Sequence, residues 1–179
     1  MMIKHFASKV FLIILVIFSF GYITLLDILA NKILVQPLQS NSLCKTDEQI
    51  IFSCAIKKSK KIVSLCGSKT LTNSQGYIQY RFGTANNTEL EFPKELQQNQ
   101  SKFTYSHYFR AQVDYSGISF VNNGYSYTIF DEYNGEEKPV VKLAGVRIAK
   151  GEQDPTELQC GSKPIAHWNF LEGVVRLEE

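Results

Sequence analysis

The sequence predicts an all-β domain behind an N-terminal export segment, and three observations support this prediction. From residue 49 onward, apolar side chains alternate with polar ones at a period of two rather than 3.6. Turns rich in glycine, asparagine and serine separate the alternating stretches. All four cysteines lie beyond the apolar start of the chain. We therefore expect an antiparallel meander of seven to nine strands, braced by disulfides, that forms a small barrel or a sandwich.

The first thirty residues are predicted to be a signal peptide or a membrane anchor. Lys4 and Lys9 precede residues 10–26, which carry no charged side chain. A basic start followed by an apolar run is typical of export signals, and this run is at the short end of the roughly 20 residues that a membrane span needs. The basic residues place the rest of the chain across the membrane. The predicted organisation is residues 1–30 as signal or anchor, 31–48 as a tether and 49–179 as a single β domain.

The four cysteines are predicted to form two disulfides, because an even number of cysteines in an exported chain is usually paired. No C-x-x-C pair is present, which disfavours zinc-binding and thioredoxin-like sites. Three pairings are open, and the sequence does not choose among them. Cys54 and Cys66 lie on neighbouring predicted strands, which favours a Cys54–Cys66 bridge. Cys44 and Cys160 would then join the start of the domain to its end.

Four strands are expected in the first half of the domain, over residues 49–56, 62–66, 77–82 and 88–92. The apolar face of the first strand comprises Ile50, Phe52, Cys54 and Ile56. A turn about Ala85 joins the third and fourth strands. It sets Tyr80 opposite Leu90 on one face and Arg81 opposite Glu89 on the other, so that an apolar face and a charge pair agree on one register.

The second half is predicted to hold strands over residues 103–113, 118–122, 125–133 and 140–149, and a last strand within 165–171. Asn123-Gly124 is the strongest hairpin signal in the chain. It sets Phe120 opposite Tyr127, while a turn over residues 114–117 joins the two strands before it. The alternation slips at Gly145, which indicates a bulge.

The sequence contains no motif that specifies catalysis. It lacks a glycine-rich phosphate loop, H-E-x-x-H and G-x-S-x-G, so we predict no enzymatic activity, no cofactor and no metal. A net charge of +2 gives no drive toward nucleic acid. His107 shares the apolar face of its strand with Tyr105 and Phe109. It is either a ligand or base at a barrel mouth or a hydrogen-bonded histidine in an aromatic core, and His167, beside Trp168, has similar alternatives.

Tyrosine and arginine side chains on the opposite strand faces are the candidate binding residues. Tyr108 and Arg110 share one face, and Tyr77 and Arg81 lie on an equivalent face of an earlier strand. These residue types are enriched at binding hot spots. The alternative is a sheet face that is simply solvated.

Part of the chain resembles small exported proteins of Gram-negative bacteria that have no assigned activity. The likeness covers residues 44–133 and rests on Phe52-Ser53-Cys54, Ser64-Leu65-Cys66 and the run Gly76–Gly83, GYIQYRFG. It implies a periplasmic or secreted β-protein, or one anchored in the inner membrane and facing the periplasm. The F-x-C strand is also similar to one in the membrane-bound and periplasmic lysozyme inhibitors, which are small disulfide-linked β-barrels, although their Ser/Lys-bearing loop motif is not found here.

These observations predict a non-enzymatic protein-binding module of the cell envelope, of an inhibitor or immunity type. Its partner would be another envelope protein, and it would touch the inner membrane only through its N-terminal segment. One alternative is a carrier of a small hydrophobic ligand or lipid inside a barrel. Another is an enzyme that uses His107.

Overall fold

A computed structural model describes residues 41–178, in which the chain forms eleven β-strands and no α-helix. Two short 3-10 helices, Gln100–Lys102 and Trp168–Phe170, lie between strands. The strands β1 to β11 are, in order, Glu48–Ala55, Ile62–Ser68, Ile78–Thr84, Asn87–Phe92, Thr104–Arg110, Val113–Asn122, Tyr125–Asn134, Val141–Lys150, Thr156–Gln159, Ile165–Ala166 and Arg176–Leu177.

The strands of this region form two sheets, and neither sheet closes into a barrel. The five-stranded sheet has the order β10-β1-β2-β3-β4, and the six-stranded sheet has the order β11-β5-β6-β7-β8-β9. Neighbouring strands are antiparallel, except that β11 runs parallel to β5. One hydrophobic core draws side chains from both sheets, as in a β-sandwich. The predicted all-β class is therefore confirmed, and the barrel alternative is wrong.

Aromatic rings fill the space between the two sheets. Phe120 stacks on Phe92 with ring centroids 4.4 Å apart and on Tyr127 with centroids 4.9 Å apart. Tyr80 of the facing sheet packs against Phe120 at 5.1 Å. Ring pairs in these offset geometries stabilise a core beyond the area they bury, so the sandwich is held by packed side chains between its sheets.

The β6–β7 hairpin agrees with the sequence prediction. Asn123 and Gly124 both have positive φ angles, 51° and 77°, as a two-residue type I′ turn requires. Phe120 lies opposite Tyr127, as expected. The conformation of these two turn residues therefore sets the register of the twenty residues in β6 and β7.

The predicted long strand over residues 103–113 is wrong, because the chain reverses at Ala111 and Gln112. Gln112 adopts a φ of 63°, a conformation that favours glycine or asparagine and that glutamine does not signal in a sequence. Residues 114–117, predicted to turn, lie inside β6 and pair on both sides. Gly117, which was predicted to end that turn, pairs with Phe130 in the middle of the sheet, on its outer face.

The register of the β3–β4 hairpin differs from the prediction by two residues. Tyr80 pairs with Phe92 and Arg81 with Glu91, because the ladder shifts between Phe82 and Gly83. A Cβ atom at Gly83 would lie 2.3 Å from the carbonyl oxygen of Asn87, so only glycine fits there. A shift of two keeps each side chain on its predicted face.

Bulges lie where the sequence did not place them. The register of β1 shifts between Ile50 and Phe52, so that Ile51 rather than Ile50 enters the core. The bulge predicted at Gly145 is wrong, because β8 pairs with β7 without a shift. Glycine is required there for a different reason, since a Cβ atom would lie 2.1 Å from the carbonyl oxygen of Leu158.

The two disulfides join Cys44 to Cys66 and Cys54 to Cys160. The favoured pairing, Cys54 with Cys66 and Cys44 with Cys160, is therefore wrong. Cys54 lies opposite Val63, and Cys66 is three residues further along β2. An odd offset along a strand places the two sulfurs on opposite faces of the sheet. The Cys54–Cys160 bridge thus lies on the core side of the sheet, and the Cys44–Cys66 bridge lies on its outer side.

Residues 41–47, part of the predicted tether, fold over the outer face of the five-stranded sheet, and we call them the strap. Cys44 holds the strap to β2, and the Leu43 N–H donates to the Ser64 hydroxyl at 2.9 Å. The predicted signal or anchor and the rest of the tether lie outside the described residues. No helix within residues 41–178 has the length and apolar character needed to cross a bilayer.

The C-terminal segment returns to the first strand. Only Ile165–Ala166 of the predicted last strand is extended, and it pairs with β1 at Phe52 and Ser53. The chain then turns through the 3-10 helix that starts at Trp168. The Cys54–Cys160 bridge fixes this segment beside the end of the six-stranded sheet, where it forms one wall of a cleft.

Candidate functional site

The four predicted binding residues do not form one surface. Arg81 belongs to β3 of the five-stranded sheet and Tyr77 directly precedes that strand, whereas Tyr108 and Arg110 belong to β5 of the six-stranded sheet. Tyr108 is 53% exposed, but Arg81 is only 2% exposed. The expectation that Arg81 lies on an open face is therefore wrong, because the strap covers it.

Arg81 is the centre of a buried polar cluster under the strap. Its guanidinium donates to both carboxylate oxygens of Glu48, at 2.5 and 2.7 Å. It also donates to the Leu43 carbonyl oxygen at 2.9 Å and to the Gln79 side chain. The Tyr77 hydroxyl completes the cluster with a hydrogen bond of 2.8 Å to Glu48.

The electrostatics of this cluster favour the charged pair. Burial alone would raise the pKa of Glu48, but hydrogen bonds from Arg81, the Lys45 N–H and Tyr77 outweigh burial and lower that pKa. Burial and the Glu48 carboxylate raise the pKa of Tyr77 to about 12. With its donors occupied in this way, Arg81 acts as a structural clamp for the strap.

The second pair of predicted residues lies where β5 and β6 project beyond the core. Tyr105 is buried, whereas Tyr108 is half exposed and Phe109 is 72% exposed. We call residues 107–114 the tip. Tyr108 and Phe109 point to opposite faces of the strand, so the tip presents an aromatic ring on each side.

The tip is held in place by contacts at its end and along its length. The Gly135 N–H donates to the Gln112 carbonyl oxygen at 2.7 Å. Arg110 forms a two-pronged ion pair with Glu136, in which Nη2 lies 2.6 Å from Oε2. The hydrogen bond from Arg110 lowers the pKa of Glu136. The exposed rings are therefore carried on an ordered hairpin.

His107 lies at the edge of the tip and not in an aromatic core, so the core alternative is wrong. Its Nε2 atom lies 3.1 Å from Asp114 Oδ1, and its ring contacts Tyr105 and Phe109 at centroid distances of 6.2 and 6.3 Å. His167 is also exposed and lies beside Phe170.

A cleft opens at the same end of the six-stranded sheet, where the inner face extends past the core. Ile129 and Val146 form a buried cross-strand pair on the inner face. The next two pairs on that face are Asp131 with Ala144 and Tyr133 with Lys142. These residues form the floor of the cleft, which measures about 680 Å³. The wall is the segment fixed by the Cys54–Cys160 bridge, and its lining includes Cys160, Lys163, Pro164 and Trp168.

Asp131 and Trp168 join the floor of the cleft to its wall. The indole N–H of Trp168 points to Asp131 Oδ2 at 3.4 Å, and the indole ring packs against Phe52 and Tyr105. Burial raises the pKa of Asp131, and the neighbouring carboxylate of Asp114 adds to this effect. The pairing of these two residues could not be predicted from the sequence, because they lie 37 positions apart and match no motif.

One group of metal-ligating residue types comes together in the described part of the chain, comprising Cys44, Glu48 and Cys66. Both sulfurs are joined in a disulfide, and Glu48 is bound by Arg81. A thiolate is the form of cysteine that binds metals, so this oxidised group is not a metal site.

Comparisons of the chain with family models, with curated proteins and with solved structures find no match. The two disulfides add one broader indication, since such bridges persist in oxidising compartments outside the cytosol.

Proposed function

We propose that the chain is an exported, non-enzymatic module of the bacterial cell envelope that binds a folded protein through its tip. The single observation that carries the proposal is the exposure of Phe109, 72%, next to Tyr108, 53%. Aromatic side chains are enriched at protein-binding surfaces, and here one exposed ring lies on each face of the projecting tip.

The order of the tip supports the same proposal. Binding costs free energy when flexible side chains and loops become fixed. The Arg110–Glu136 pair and the hydrogen bond from Gly135 to Gln112 already hold this hairpin. A partner that contacts either face of the tip would therefore meet an aromatic ring on a hairpin that is already held in place, and little of the binding free energy would be spent on ordering it.

Export of the module is supported by two independent features. Lys4 and Lys9 followed by an uncharged apolar run resemble an export signal. Both pairs of cysteines are oxidised, which fits the periplasm or the outside of the cell. Periplasmic residence, free or anchored, is the location we propose.

The interior of the sandwich gives the carrier alternative no support. Phe92, Phe120 and Tyr127 are stacked where a carrier would hold its ligand. An enzyme that uses His107 also lacks support, because the one hydrogen bond of its ring is to an exposed carboxylate at the tip. Surface recognition is the function that this arrangement favours.

Site-specific photo-crosslinking in the producing cells tests the proposal. A photoreactive amino acid would replace Phe109, and a matched control would replace Val121, an apolar residue of β6 that is 66% exposed. We expect a discrete adduct with one protein from position 109 and none from position 121. With that protein purified, Phe109→Ala should weaken binding about 30-fold, the loss of a hot-spot residue of about 2 kcal/mol. The same adducts from both positions, or unchanged affinity of Phe109→Ala, would overturn the proposal.

A further inference from the structure

We propose that the cleft between β8 and the Cys160–Trp168 segment binds a small organic acid that also carries hydroxyl groups, such as an acidic sugar. The lining of this site includes no residue of the tip, and the inference does not rest on the proposed protein partner. Its volume of about 680 Å³ lies in the range of small-molecule sites, roughly 300–1,000 Å³.

The charges that line the cleft favour an anion. Lys142 on the floor and Lys163 on the wall both line it. Of the two carboxylates at the cleft, Glu132 turns to the opposite face of the sheet, where Arg147 Nη1 binds it at 2.6 Å. Asp131 alone stays inside, where it receives the Trp168 N–H and lies within the electrostatic reach of Lys163. Two ammonium groups from opposite sides of the cleft could bind one carboxylate by charge-assisted hydrogen bonds.

The remaining lining suits the hydroxyl-bearing part of such a ligand. The Asp131 carboxylate has two oxygens, and Trp168 occupies only Oδ2 among the hydrogen bonds of the cleft. The second oxygen is available to accept a hydrogen bond from a ligand hydroxyl. Trp168 supplies aromatic surface, which is the usual partner for the apolar face of a ring. The Tyr133 ring lies beneath Lys142 Nζ, 5.4 Å from the ring centroid, and so places that ammonium on the floor of the cleft.

The sequence provides its own reporter, because Trp168 is the one tryptophan of the chain. The fluorescence of the native protein should therefore respond to glucuronate and to a glucuronate-containing disaccharide, and far less to glucose. Lys142→Gln together with Lys163→Gln should weaken the response about tenfold for each lysine. The matched control, Lys69→Gln with Lys94→Gln, removes the same charge from exposed positions elsewhere and should leave it unchanged.

Quenching of Trp168 by iodide measures the local charge without any assumed ligand. We expect the Lys142→Gln, Lys163→Gln variant to be quenched less than the native protein, and the control variant to match the native protein. Equal responses to glucuronate and glucose, the absence of a response to either acidic probe, or equal iodide quenching in both double variants would each overturn the inference. A loss of crosslinks at the tip would leave these fluorescence results untouched, so the two proposals can fail separately.

Discussion

Replacing Glu48 with glutamine tests whether the buried Arg81 cluster holds the strap on the sandwich. Glutamine keeps the shape of the side chain and removes its charge. In the native protein the Arg81 guanidinium is 2% exposed and the side chain of Glu48 is fully buried. Glu48→Gln therefore leaves the buried Arg81 cation with only one carboxylate nearby, that of the half-exposed Glu91, whose Oε1 lies 3.6 Å from Arg81 Nε.

The expected loss follows from that burial. Removing one partner of a buried ion pair typically costs about 3–5 kcal/mol, because the other charge stays desolvated. We expect a loss at the lower end of that range, about 3 kcal/mol in the free energy of unfolding at pH 7, because the Glu91 carboxylate still balances part of the Arg81 charge. Glu136→Gln provides the matched control, since it breaks the Arg110–Glu136 pair at an exposed site and should cost much less.

The loss should also depend on pH. The pKa of Glu48 in the folded protein lies below its ordinary value of 4.5. The carboxylate therefore stabilises the fold above pH 4.5, and this contribution is lost as the pH falls through the lower folded pKa. The difference in stability between the native protein and Glu48→Gln should accordingly narrow below pH 4.5.

Urea unfolding followed by Trp168 fluorescence measures the free energy of unfolding of each protein and its dependence on pH. The native protein, Glu48→Gln and Glu136→Gln would be compared at pH 7 and at several lower pH values. Equal losses of unfolding free energy in the two variants at pH 7 would refute the role of Arg81 and Glu48 in holding the strap. A difference that stays constant on acidification would refute the assigned role of the Glu48 charge.

Two further predictions concern the core and the bridges. Replacing both Cys54 and Cys160 with serine should lower the free energy of unfolding by about 4–5 kcal/mol, because this bridge closes a loop with a sequence separation of 106; a loss near zero in denaturant titration would contradict the role given to the bridge. Ile51→Ala should cost about 2–5 kcal/mol and Ile50→Ala clearly less, since the β1 bulge places only Ile51 in the core. The opposite order in the same titration would mean that the bulge lies elsewhere.

The fold class could be predicted from the sequence because the alternation of side chains and the conformation of turns depend only on residues that are adjacent in the chain. The Asn123-Gly124 turn needed only its own two φ angles to set β6 against β7. The turn at Gln112 was missed, because glutamine rarely adopts a positive φ and so does not indicate a turn in a sequence. The place of Ile51 was also missed, because a one-residue bulge exchanged which isoleucine faces the core.

The candidate sites could not be predicted because long-range contacts create them. Arg81 has the alternation of an exposed residue, and only the strap, bound through Cys44, buries it. Trp168 reaches Asp131 because Cys160 is bridged to Cys54. The tip was the partial exception, since Tyr108 was a candidate on residue type and lies on the face of β5 opposite the buried Tyr105. Phe109 shares the face of Tyr105, and its exposure could not be read from the alternation.

Non-reducing peptide mapping of protein isolated from its own compartment tests the central claim most directly. In this two-sheet domain, one bridge fixes the strap and the other fixes the wall of the cleft. We predict disulfide-linked peptides that join Cys44 to Cys66 and Cys54 to Cys160. A Cys54–Cys66 peptide, or four free thiols, would contradict it.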